Sequence, residues 1–175
     1  EFRRVLFRSP MAADPALGLV YLPVEGPTSD LYGGERPGAN LFGNSLVALD
    51  AKTGQRVWHQ QLVHHDIWDY DNPTSPILLD VKVGGKTVKA VVQLTKQAFA
   101  YAFDRTNGQP LWPLEERPVP KSDVPGEWTS PTQPFPTKPK AYDRQGVSEA
   151  DLVRSEEHTS ELQSHLNLVC RLLLE

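Results

Sequence analysis

The residues best equipped for chemistry lie in one short run, VHHDIWDYDNP, from Val63 to Pro73. It holds two adjacent histidines, His64 and His65, and three aspartates, Asp66, Asp69 and Asp71. A carboxylate positioned beside a hydroxyl can take its proton, and such a base typically contributes about 10²–10⁴-fold to a rate. The same aspartates could instead cap turns ahead of Asn72-Pro73, because short carboxylates bond the amides of the turn they open. The histidine pair does not suit a metal. Neighbours on an extended chain point to opposite sides. Neither an HExxH pattern nor a cysteine partner accompanies them, so no zinc site is expected. One histidine is expected to face a cavity and the other to pack or hydrogen-bond.

Around this run the pattern is that of strands. GLVYLP (18–23), NSLVALD (44–50), RVWHQQLV (56–63), PILLDVKV (76–83), KAVVQLT (89–95) and FAYAFD (99–104) are short and bounded by turn formers. They are rich in β-branched and aromatic residues. Phe99, Tyr101 and Phe103 share one face of the last run, and Ala100, Ala102 and Asp104 the other. Gly84-Gly85 reads as a hairpin turn. No stretch of 10–153 has the pattern of a long helix.

One unit repeats. ALDAKTGQRVW (48–58) returns as AFDRTNGQPLW (102–112), 54 residues on and without a gap. The aspartate of each copy can bond the amides of the turn it opens. Gly54 and Gly108 supply the positive φ of that turn. Trp58 and Trp112 then offer a large packing face. A strand–turn–strand unit recurring at roughly 50 residues is the sequence form of a propeller blade. The fold class is therefore all-β, a partial β-propeller of about two blades. Two blades cannot close a ring. The chain is expected to be a slice of something larger, inactive alone and prone to aggregate through its strand edges.

Between Pro113 and Pro139 eight prolines fall in 27 residues. Proline removes donors and fixes φ, so a long loop is expected there rather than a helix or a central strand. Trp128 and Phe135 imply that this loop packs on something. Composition sets the outer limits. The 175 residues carry a net charge of −4, which argues against a nucleic-acid surface. No apolar run reaches the roughly 18 residues of a membrane span. One cysteine excludes a disulfide framework. All 16 prolines and all 12 glycines lie between Pro10 and Gly146. The head LFRS (6–9) and the tail RSEEHTSELQSH (154–165) resemble translations of paired sequencing adapters. Residues 1–9 and 154–175 are therefore read as assembly artefacts, and 10–153 as the propeller segment. Leu162, Leu166, Val169 and Leu173 fall at helical spacing, so a helix without biological meaning could form in the tail.

The turn-plus-tryptophan unit resembles the tryptophan motif of the quinoprotein dehydrogenases, eight-bladed β-propellers that hold pyrroloquinoline quinone (PQQ). VHHDIWDYDNP (63–73) is similar to the active-site segment of their membrane-type glucose branch. LTKQAFAYAFDRTNGQPLWPLEERPVP (94–120), followed by SPTQPF (130–135), is similar to the segment that comes next. The resemblance covers essentially all of 10–153. The doubled histidine and EERPVP (115–120) favour the glucose branch over the alcohol-type enzymes.

The resemblance implies a dehydrogenase that oxidises an aldose such as glucose by hydride transfer to PQQ. Another alcohol, a polyol or a cyclic acid such as quinate is the alternative substrate. A non-catalytic propeller scaffold is the alternative class; it would carry the tryptophan motif without HHDIWDYD and TKQ. By the same resemblance Asp69, after Trp68, is the general base, and His65 and Trp68 contact the cofactor. Lys96 contacts the quinone oxygens and holds Asp69 ionised as a weak but always available base. A Ca²⁺ or Mg²⁺ ion bridges protein oxygens to PQQ. Asp30 is the ligand this chain offers, with Asn40 a weaker one, although Asp30 before Gly33-Gly34 also suits a turn. Trp58 and Trp112 pack between blades. Electrons would pass to a quinone or another acceptor. The protein would work in the periplasm, attached to the inner membrane only through parts outside this chain.

Overall fold

The computed structural model describes residues 10–29, 31–146, 148 and 151. The helical tail expected from the leucine spacing, and Asp30, lie outside the described residues. Among those described there are nine strands and no α-helix. They are β1 (Ala12–Asp14), β2 (Leu19–Pro23), β3 (Ser45–Asp50), β4 (Arg56–Gln61), β5 (Ile77–Val83), β6 (Lys86–Leu94), β7 (Ala100–Asp104), β8 (Leu114–Pro118) and β9 (Thr132–Pro136). β1 to β4 form an antiparallel meander in sequence order, β5 to β7 a second, and β8 and β9 a two-stranded ribbon. A bridge from Phe103 to Pro110 begins a fourth strand on the second sheet. None of the sheets closes on itself. This is the open, all-β architecture of a partial propeller.

The six strands read from the sequence are β2 to β7. Gly84 and Gly85 have φ of 57° and 79° and join β5 to β6. Two consecutive positive φ values are what a type I′ turn demands.

The proline-rich stretch departs from expectation, because it contains β8 and β9 rather than loop alone. Register explains why the prolines are tolerated. Thr137 N–H donates to Pro113 C=O at 3.1 Å, and Val119 N–H to Pro131 C=O at 3.2 Å. Odd-numbered residues of β9 therefore face β8, and Pro134 and Pro136 turn their missing donors away. The outward carbonyl of Pro134 instead accepts the Tyr101 hydroxyl at 2.8 Å.

The two larger sheets meet across one core. Leu19, Tyr21, Leu46, Ala48, Trp58 and Leu62 pack on Val91, Phe99, Tyr101 and Phe103. The expected aromatic face of β7 is thus the face turned inward.

The repeat is what locks the sheets together. Asp50 Oδ1 accepts the amides of Lys52 and Thr53 at 3.0 and 2.8 Å. Asp104 Oδ1 accepts that of Thr106 at 2.8 Å. The main-chain bonds of Gly54 to Asp50 and of Gly108 to Asp104 match, both at 2.8 Å. Trp58, from the first copy, covers the turn of the second. Its Nε1 donates to Arg105 C=O at 3.2 Å, beside the Tyr21 hydroxyl at 2.9 Å. Gln60 Nε2 donates to Gly108 C=O at 2.9 Å. Trp112 is the equivalent of Trp58 but only half-buried, and no third copy of the turn lies among the described residues.

Gly108 is therefore held by space as well as by φ. A Cβ there would lie 2.7 Å from the Trp58 ring, whereas one at Gly54 would meet nothing within 4 Å. Gly54→Ala should lose about 1–2 kcal/mol for its positive φ. Gly108→Ala should lose a further 1–3 kcal/mol or so from overpacking. Urea denaturation of the two variants measures the difference. Equal losses would show that the Trp58 contact carries no weight.

Candidate active site

Beyond β4 the chain leaves its sheet. Leu62 N–H still bonds Asn44 C=O at 2.8 Å, and residues 63–73 then form a loop without strand pairing. Asp66 organises that loop. It is 2% exposed. Its Oδ2 accepts Asn44 Nδ2 at 2.9 Å and the Tyr70 amide at 2.8 Å, and its Oδ1 accepts the Trp68 amide at 3.0 Å. Burial pushes the Asp66 pKa up, and these three hydrogen bonds pull against it. The chain around it is tightly bent, with φ of 47° at His65 and 58° at Asp69.

The bend brings Asp69 and Asp71 to one lysine. Lys96 Nζ lies 3.2 Å from Asp69 Oδ2, 3.2 Å from Asp71 Oδ2 and 2.8 Å from the Asp69 carbonyl. All three ammonium donors are engaged. Asp71 is held from its other side by the Gly26 amide, at 2.8 Å to Oδ1. Gly26 allows that approach, since a Cβ there would sit 3.2 Å from Asp66 Oδ2 and 3.3 Å from Asp71 Oδ1.

The charges respond to this crowding. Burial raises the Asp69 pKa, the Asp71 carboxyl raises it further, and Lys96 opposes both. At Asp71 burial again disfavours charge, but the Gly26 amide, the Asp69 carboxyl and Lys96 outweigh it, and the pKa falls. Partial burial works against the Lys96 cation, but its two carboxylates prevail and its pKa rises. The cation is shared, and Asp69 is the carboxylate of the pair that protonates more readily. Asp71 was not singled out from the sequence. Its signal was the close Asp-x-Asp spacing within the same acidic run.

Trp68 lies beside this cluster and forms a wall common to two cavities. The larger is about 240 Å³ and is also lined by Tyr70, Lys96, Gln97, Phe99 and Gln133. Drug-sized ligands generally occupy about 300–1,000 Å³. The described residues thus make one side of a site rather than a full enclosure. For a flat ring system Trp68 offers an aromatic face, with Lys96 and Gln97 as polar groups on the same wall. Gln97 Oε1, on the same wall, is buried without a hydrogen-bond partner among the described residues.

The histidines are arranged otherwise than expected. His65 is fully buried and lines neither cavity. Its Nδ1 bonds Gly38 C=O at 2.8 Å, and its ring lies 3.9 Å from that of Trp128. His64 is half-exposed, between Gln61 Oε1 at 2.9 Å and Glu116 Oε1 at 3.2 Å. Asp30 lies outside the described residues. Asn40 Oδ1 is taken by Arg36 Nη1. Among the described residues no three carboxylate, imidazole or thiol groups converge on a metal position.

An open antiparallel propeller segment with a carboxylate–lysine cluster beside an aromatic wall defines a class, and comparison with known proteins identifies it. The family described as "PQQ: Glucose/ethanol/alcohol dehydrogenase, beta-propeller domain" matches residues 7–169, and the chain belongs to that family. It is 43% identical over 134 residues to quinoprotein glucose dehydrogenase A of Acinetobacter calcoaceticus, covering 73% of this chain and 17% of that protein. It is 40% identical over 146 residues to a probable quinate dehydrogenase (quinone) of Xanthomonas campestris pv. juglandis, covering 82% of this chain and 18% of that protein. The structure of quinohemoprotein alcohol dehydrogenase from Comamonas testosteroni superposes with a TM-score of 0.56 at 27% identity, covering 83% of this chain and 20% of that one. The chain spans less than a fifth of the length of these two curated relatives.

The cluster yields a signed pH test. Asp71 has a folded-state pKa below its ordinary 3.8, so ionisation favours the folded state. Its contribution is present in full above 3.8 and lost as the pH falls through the depressed value. Asp71→Asn should therefore lower stability by about 0.2–1 kcal/mol at pH 7. The two proteins should converge as the pH approaches 2. Denaturation at both pH values checks this, and a gap that widens in acid would refute it.

Proposed function

We propose that the protein containing this chain is a PQQ-dependent dehydrogenase that oxidises the CH–OH group of an aldose such as glucose. One observation carries the reading. Asp69 and Lys96 lie 3.2 Å apart beside a cavity walled by Trp68. PQQ, when bound, supplies the hydride acceptor. Lys96 and Trp68, which both line that cavity, would hold it, the one by its charge and the other by its aromatic surface. Asp69 would take the hydroxyl proton of the substrate. Its raised pKa suits that role, since a carboxylate that binds a proton more readily is a stronger base. His65 would act from behind, through its stacking on Trp128.

The glucose branch is favoured by two sequence features that touch. His64, of the doubled histidine, meets Glu116, of EERPVP, at 3.2 Å. Relatives named for glucose and for quinate match almost equally well, at 43% and 40% identity, so overall similarity does not choose between them. Electrons would leave to a quinone or another acceptor. On the same resemblance the protein would act in the periplasm, with Ca²⁺ or Mg²⁺ held largely by residues outside this chain.

The test is to express the complete reading frame, reconstitute it with PQQ and Ca²⁺ or Mg²⁺, and follow reduction of an artificial electron acceptor. Glucose, quinate and glycerol are compared as substrates. Asp69→Asn should lower kcat by about 10²–10⁴-fold. PQQ-dependent turnover that survives this change would remove Asp69 as base. Turnover of quinate or glycerol without glucose would move the protein to a sister branch. Failure to bind PQQ would leave a propeller scaffold.

A further inference from the structure

The proline-rich stretch does more than connect strands. Gln133, on β9, is 3% exposed and points at the loop that carries Asp69. Its side-chain amide pairs with the main chain of His64 in both directions. Oε1 accepts the His64 N–H at 2.8 Å, and Nε2 donates to the His64 C=O at 2.7 Å. The amide thus imitates the edge of a neighbouring strand. It does so just after the chain has left its own sheet, where main-chain groups need new partners.

Two further contacts tie the same region to residues 113–139. Glu116 on β8 bonds the His64 ring at 3.2 Å and accepts the Thr132 hydroxyl at 2.7 Å. Trp128, between the ribbon strands, stacks on His65. The support is stiff. Pro134 follows Gln133 directly and confines the backbone of Gln133 to extended conformations. Gln133 also lines the larger cavity, and Asp69 follows five residues after the His64 that it holds.

We infer that Gln133 is a positioning residue for the Asp69–Lys96 site, registering residues 64–69 against the proline-stiffened ribbon. The inference rests on the dehydrogenase reading for its catalytic consequence, but not for the registration itself. Gln133→Leu keeps the volume and removes both hydrogen bonds. Gln133→Glu keeps the acceptor and turns a carboxylate oxygen toward the His64 carbonyl, so one bond is lost.

The experiment is hydrogen exchange on the complete protein without PQQ, followed by steady-state kinetics after reconstitution. In Gln133→Leu, amides of residues 64–70 should exchange about tenfold faster, the loss expected of two net hydrogen bonds. Amides of β3 and β7 should keep the wild-type rate. Reconstituted, the variant should lose about 10–100-fold in kcat, with a smaller change in KM. Gln133→Glu should fall between it and the wild type, and it decides the matter alone if the leucine variant does not fold. Unchanged exchange at 64–70 would overturn the inference. So would equal acceleration in β3 and β7, because that reports general destabilisation. Asp69→Asn, run in parallel, separates the two claims. If it stays active the base assignment falls, while the exchange data still decide the role of Gln133.

Discussion

Trp58 lies over Gly108 with its indole N–H on the Arg105 carbonyl, and the rest of the arrangement depends on that contact. It joins the first sheet to the turn of the second through a ring that only a glycine can accommodate. The active-site loop leaves the first sheet after β4, and Lys96 follows β6 of the second. Asp69 lies on the loop that runs from β4 to β5 of the second sheet, and its meeting with Lys96 depends on how the two sheets hold that loop. The loop itself is fixed nearer by, where Asn72 Nδ2 donates to the Val24 carbonyl at 2.8 Å and the Gly26 amide donates to Asp71 at 2.8 Å.

Within the loop, the governing constraint is the placement of charge. Asp66 is buried and cannot reach water, so the loop wraps its own amides around it. That wrapping carries Asp69 and Asp71 out to the single cation between them. Two carboxylates and one ammonium leave the cluster one negative charge in excess. The excess is distributed unevenly, because Asp71 also accepts the Gly26 amide, which favours its ionised form. The more basic carboxylate is the one next to Trp68 in the chain.

The prolines act on a third level. A residue without an N–H is usually a liability in a sheet. In β9 the missing donors point away from β8, and the freed carbonyl of Pro134 accepts the Tyr101 hydroxyl. The ribbon is held to the core on one side and to His64 on the other. Stiffness that would obstruct an ordinary strand serves here as a fixed support.

The local features were legible in the sequence because they arise from local causes. Strands β2 to β7, the Gly84-Gly85 turn and the Asp–Gly turns of the repeat follow from side-chain alternation and from φ preferences. The propeller followed from the 54-residue repeat, and Asp69, Trp68 and Lys96 were named by their surrounding motif. Strand β1 was too short to show alternation, and the ribbon was hidden because proline content reports missing donors but not where they point. His65 gave no sign of its burial, since an imidazole suits a core or a cavity equally. The sequence by itself determined strands β2 to β7, the turns between them and the family whose motifs the chain carries. Only the tertiary structure decided that Lys96 is shared by two carboxylates and that Gln133 grips His64 from 69 residues away. Both depend on how separate sheets pack, and no local propensity encodes a distance between them.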